Sequence, residues 1–158
     1  RTLGEQRLAL LLDVMGEKNV TELWQLTQRR TELRLEEFDA WNRAKLDAVV
    51  CVPHVVPAMQ HRSSGDFILS LGAMFRWTLL NFPAGVVPVT RVRDEETRGY
   101  SGGTDRLAKK VSSILVGSAG LPVGVQVVAR PFAEDVLLAV MAGIEKGARE
   151  QPGYPRTP

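Results

Sequence analysis

The chain has 158 residues, 44% hydrophobic and 24% charged, which is the composition of a folded globular domain and excludes a disordered or fibrous chain. A net charge of +2 is too small to imply nucleic acid or an acidic membrane as a partner. The single cysteine, Cys51, excludes an internal disulfide and a cysteine metal cluster. Nothing argues for secretion, so an intracellular location is expected.

Arg1 opens the chain in place of Met, and no signal-peptide pattern follows, so a segment cut from a longer sequence is expected. Leu8–Met15 is apolar up to Asp13 and ends at Gly16, a short helix with apolar residues on most faces. It is far shorter than the ~20 residues needed to cross a bilayer. Burial in the chain, docking on a partner element and contact with a membrane surface all remain open for it.

Asn19 followed by Glu22 is a capping-box arrangement, and nothing breaks the helix from Val20 to Leu46, a rod of roughly 40 Å at ~1.5 Å per residue. Trp24, Thr27, Thr31, Leu35, Phe38 and Trp41 step by three and four and are expected to form its buried face. The Arg and Glu residues between them form a solvated face. Asp47–Val52 reads as a strand covered on both sides and ended by Pro53. Cys51 is expected to be a small buried apolar residue of that strand.

An irregular loop from Pro53 to Asp66 leads into a helix over Phe67–Leu80, with Ile68, Leu71, Met74, Phe75, Thr78 and Leu79 on one broad face and Asn81 at its end. The strand Val86–Val92 holds Pro88, which would be unusual at a central hydrogen-bonding position. Arg93–Gly103 is a charged, glycine-bearing excursion, and a helix over Asp105–Val116 turns Leu107, Val111, Ile114 and Leu115 inward. Gly120–Phe132 holds a Val-rich strand between two turns. The last helix, Ala133–Lys146, has acidic residues in its first turn and Gly147 placed to end it. Residues 1–150 then form one unit, and 151–158, with three prolines, a flexible tail. The alternation of helices and strands argues for an α/β fold with a mixed sheet core covered by helices. Three strands make a narrow sheet whose edges need partners.

Catalytic chemistry is sparse. Ser63-Ser64 lies beside Gly65 but has no glycine-rich run to shape an oxyanion hole. Ser112-Ser113 falls inside a helix, Lys109 and Lys110 read as ordinary exposed lysines, and Glu36-Glu37 and Glu95-Glu96 are solvated pairs. His54 and His61 lack the acidic or Cys neighbours of a metal site. No nucleotide, metal or nucleic-acid motif is present, and no cofactor is expected.

Gly120-Leu-Pro-Val-Gly-Val-Gln126 with Arg130-Pro-Phe-Ala-Glu134, Asn81-Phe-Pro-Ala-Gly-Val-Val-Pro-Val89, and Asp47-Ala-Val-Val with Pro53 and Pro57-Ala58 resemble, in order and spacing, the closing segments of the amidase signature family. Within that family, the wording at 82–89 is most similar to the branch acting on long-chain fatty acid amides. The resemblance implies the C-terminal part of a serine hydrolase cleaving amides or esters of long acyl chains. The family's catalytic lysine and two serines precede the matched segments, so no residue here inherits those roles. What carries over is the lining of an acyl pocket, at Leu11, Met15, Ile68, Leu71 and Phe75, unless these residues simply fill the core. The implied partners are a lipid amide substrate, the N-terminal part of the same domain, a membrane surface touched through Leu8–Met15, and a second copy in a homodimer. A free-standing lipid- or partner-binding module, and a piece of an amidase for small polar amides, are the competing readings.

Overall fold

The computed structural model describes residues 6–61, 63, 67, 72–98, 100, 102–104 and 106–156, apart from the side chains of 6–8, 10, 11, 106 and 107. In chain order the elements are α1 Gln6–Met15, α2 Val20–Ala44, β1 Ala48–Cys51, α3 Gly72–Leu80, β2 Ala84–Arg91, α4 Arg106–Leu115, β3 Pro122–Ala129 and α5 Glu134–Arg149. A 3₁₀ turn, Asp94–Thr97, lies between β2 and α4.

The expected α/β architecture is present, built on a three-stranded sheet in the order β1-β3-β2 with both pairings antiparallel. β3 takes the centre because its Val-rich run suits burial on both faces, and Val127, Val128 and Ala129 are fully enclosed. Each of those valines contributes about 1.5–3 kcal/mol of burial. β2 is an edge strand among the described residues, which resolves the difficulty of Pro88: it sits opposite Gly124, beside a bulge at Pro88/Thr90. β1 is the other edge. Its expected burial on both sides fails at Val50 and Val52, which are exposed, because no described strand lies beyond β1.

Alternation sends successive side chains to opposite faces of the sheet. Val127, Ala129 and Ala48 meet α5 through Leu137, Val140, Met141 and Ile144. Val128, Val49 and Cys51 meet Trp41 and Phe38 of α2, Trp77 and Leu80 of α3, and Phe82. Trp41 is the hub, with ring centroids 6.0 Å from Trp77 and 5.3 Å from Phe82. A third cluster joins α4 to the irregular segment after β1, through Val56, Phe67, Val111 and Ile114.

The helices keep their expected places but not all their expected faces. The Asn19–Glu22 capping box is formed on both sides, at 2.9 and 2.8 Å. α2 ends at Ala44, short of Leu46, because Lys45 takes a left-handed backbone with φ 53°. Cover is confined to one side of its C-terminal half: Phe38 and Trp41 face the core, while Leu35 in that half is 61% exposed and Trp24 in the first half 68%. No described element reaches the helix's first half to cover the row. α3 turns Trp77 and Leu80 inward instead of Phe75 and Leu79, since the large Trp77 ring fills the space between Trp41 and Phe82. Asn81, at φ 57°, ends it as expected. Ile68 and Leu71, placed on that face by the sequence, lie outside the described residues, as do the side chain of Leu107 and residues 157–158 of the tail. Gly147 does not end α5, which runs on to Arg149. The ion pair Glu145–Arg149, at 2.6 Å, and the hydroxyl of Tyr154 on Glu145, at 3.4 Å, tie that last turn together.

Candidate functional site

The five apolar positions expected to line an acyl pocket divide by place. Leu11 and Met15 lie four residues apart on α1 and so share one side of it. Phe75 lies in the first turn of α3. Met15 is 59% exposed and Phe75 50%, and neither belongs to any of the three buried clusters. These two do not fill the core. The side chain of Leu11, and all of Ile68 and Leu71, lie outside the described residues, so the structure brings no more of the set together.

The apolar character of α1 also faces outward. Leu12 and Met15 are exposed and Val14 is 85% exposed, so its described side chains are not buried in this chain. Val20, Leu23, Trp24 and Leu26, in the first turns of α2, are exposed as well. Exposed apolar residues in such number exceed the single, scattered ones of an ordinary surface. No helix among the described residues is long and apolar enough to cross a membrane.

Between α2 and α3 runs a groove of about 460 Å³ lined by Leu33, Glu36, Glu37, Arg76, Leu79 and Leu80. Its electrostatic centre is Glu37, whose side chain is 14% exposed. One carboxylate oxygen accepts from the Trp41 indole N–H at 2.9 Å, and the other pairs with the Arg76 guanidinium, which also stacks 5.0 Å over Trp77. The expected solvated pair Glu36-Glu37 is therefore half wrong. Glu37 is a bonded strut between two helices, which the tandem carboxylates did not signal because its partner lies 39 residues away.

A second groove, of about 470 Å³, opens where β1 stops short of the end of β3, walled by 52–59 and 122–124. His54 lies here, half-buried, its Nδ1 near the Val56 backbone and its ring edge-on to Phe67 at 6.3 Å. The signal in the sequence was Pro53, which ends β1.

The serine hydroxyls of the described chain are spent locally. Ser63 donates to the Gln60 carbonyl at 2.6 Å, Ser112 to Ala108 at 3.1 Å, Ser113 to Lys110 at 2.7 Å and Ser118 to Leu115 at 2.7 Å. Ser64 lies outside the described residues. Cys51 contributes its Sγ to the Gln126 amide oxygen at 3.5 Å and stays half-buried. Among the described residues no three His, Cys, Asp or Glu side chains gather as a metal site. At the surface, hydrogen bonds from Arg93 hold the Glu96 carboxyl below the usual carboxylate range, and Arg149 does the same to Glu145. Both are surface ion pairs, at 2.6 Å.

The family model described as Amidase matches residues 4–138. Fatty-acid amide hydrolase 1 of Sus scrofa is 34% identical over 146 residues, covering 89% of this chain and 25% of that relative. Fatty acid amide hydrolase 1 of Caenorhabditis elegans is 34% identical over 103 residues, covering 63% and 18%. The chain spans about a quarter or less of the length of the curated relatives it matches. A match over most of its residues, through the same strands that build its sheet, means that the chain belongs to the amidase family.

Proposed function

We propose that this chain is the C-terminal portion of a serine hydrolase that cleaves amides, or esters, of long-chain fatty acids. In that protein it supplies sheet strands and walls of the acyl pocket, and the nucleophile and its base come from the N-terminal part of the same domain. The observation that carries the reading is the 34% identity, over 89% of the chain, to a relative named for fatty-acid amide hydrolysis. Two features support it. Met15 and Phe75 are apolar, exposed and without a place in the core, as residues waiting for an acyl chain should be. The described serine hydroxyls donate to backbone carbonyls of their own segments, an arrangement unlike that of an activated nucleophile.

The exposed face of α1 favours a second element of the same reading, contact of Leu8–Met15 with a membrane surface. It equally suits the competing reading of a free-standing lipid- or partner-binding module. A second copy in a homodimer is a further proposed partner.

The test compares the protein expressed from its full coding sequence with residues 1–158 alone, using a fluorophosphonate probe and a series of amides of rising acyl length. The expected result is labelling and long-chain preference in the full protein, with no labelled serine inside residues 1–158. A labelled serine within those residues, or full-length activity restricted to short amides, overturns the proposal. Absence of any lysine and glycine/serine-rich core in the full coding sequence would favour the free-standing module.

A further inference from the structure

α3 has nine residues, too few to hold a helix in water unaided, so its orientation comes from what it packs against. Trp77 and Leu80 supply its buried contacts, in the cluster with Trp41, Phe82 and Val128. Apolar contact is non-directional, and it holds a helix down better than it fixes rotation about the helix axis. A directional bond to α2 is made one residue before Trp77, where the Arg76 guanidinium pairs with the Glu37 carboxylate.

Glu37 is itself held in place. Its other oxygen accepts the Trp41 indole N–H at 2.9 Å. On the α3 side, the Arg76 guanidinium lies 5.0 Å over the Trp77 ring, and that ring meets Trp41 edge-on at 6.0 Å. Trp41, Glu37, Arg76 and Trp77 therefore close a ring of contacts, two members from each helix. The pairs Arg29–Glu32 and Arg149–Glu145, by contrast, each lie within one helix and orient no second element. Successive residues of an α-helix point about 100° apart. With Trp77 drawn into the core and Arg76 drawn to Glu37, Phe75 stands on the far side of Arg76 from Trp77, half exposed.

We propose that Glu37 and Arg76 are positioning residues for acyl-chain selection: through them α2 fixes the rotation of α3, and with it the direction of Phe75. The inference rests on the reading of Phe75 as a wall of the acyl pocket. Neither residue touches the bond that is cleaved. A chain long enough to reach Phe75 senses the pair, and a short one does not. Loosening the pair removes binding energy from the far end of a long substrate, which is read in KM rather than in kcat.

The test uses the full-length protein and measures kcat and KM over amides of rising acyl length, with a small-alkyl fluorophosphonate probe reporting the nucleophile. Arg76→Met removes the charge while keeping an apolar side chain beside Trp77. Glu37→Gln keeps an acceptor for Trp41 while removing the partner charge. Each is expected to raise KM for long-chain amides at least about fivefold, with the effect absent from kcat, short-chain KM and probe labelling. Arg76→Lys is expected to recover part of the loss, and Arg76→Met is expected to add nothing in a Phe75→Ala background. A wild-type protein without long-chain preference overturns the hydrolase reading and this inference with it. Where that preference is present, four outcomes overturn this inference alone: an unchanged long-chain KM, an equal rise for short and long amides, an effect undiminished by Phe75→Ala, or loss of probe labelling in both variants. The last would mean that the pair holds the fold rather than Phe75.

Discussion

Arg130 follows the last residue of β3 and reaches back across the fold to the end of α2. Its Nε donates to the Leu46 carbonyl and its Nη1 to Asn42 Oδ1, both at 2.7 Å. Two bonds from one planar guanidinium to two acceptors fix the angle between helix and strand in a way a lysine ammonium does not reproduce. Arg130→Ala is expected to lower stability by about 1–2 kcal/mol, seen as a lower urea midpoint at unchanged slope, with Arg130→Lys recovering less than half of the loss. Glu145 makes a prediction about pH. The hydrogen bond from Arg149, then its charge, lowers the folded-state pKa of Glu145 below the ordinary carboxylate value. A lowered folded-state pKa gives stability that is present above the ordinary value and disappears as pH falls through the folded one. An NMR titration of the Glu145 carboxyl should therefore show a midpoint below that of a free glutamate, and Arg149→Gln should return it to the ordinary range. The Glu145–Arg149 pair is four residues apart and so lies within local sequence spacing, whereas the partners of Arg130 do not. A side chain's polarity is local information, and a bonding partner 84 residues away is not.

At the scale of elements, α2 shows how a helix can be anchored at one end and free at the other. Its capping box satisfies orphan N–H groups at Asn19 and Glu22, while its first half lies exposed and its second half carries Trp41 into the core. Asn19→Ala should cost about 1 kcal/mol of local helix stability. Hydrogen exchange should accelerate over the first two turns of α2 while the global melting transition stays in place, and a matching loss in the global transition would show that the first half is coupled to the core. Capping and helix boundaries were legible because they depend on neighbours three or four residues apart. The inward face was not: Trp24 and Leu35 have the same spacing as Phe38 and Trp41, and only the position of the sheet separates them. α3 repeats the lesson, since Trp77 displaces Phe75 and Leu79 by filling the space beside Trp41.

For the molecule as a whole, a narrow antiparallel sheet is covered by α5 on one face and by α2 and α3 on the other, with large apolar side chains exposed on α1 and the first half of α2. These side chains lie outside the three buried clusters. The double variant Val14→Glu and Trp24→Glu should bind markedly less of a hydrophobic dye, or of neutral lipid vesicles, at an unchanged melting temperature; a fall of several degrees would show that they support the core after all. By itself the sequence determined the order of helices and strands, the Val-rich centre of the sheet, the capping box and the amidase family, because each of these is written in local periodicity or in contiguous motifs. Only the tertiary structure decided that β3 lies between β1 and β2, that Glu37 is a strut between α2 and α3, that Met15 and Phe75 stand outside the buried clusters, and that Gly124 lines a groove. These features depend on which distant segments meet, and that is set by the burial of the whole apolar surface rather than by any one stretch of chain.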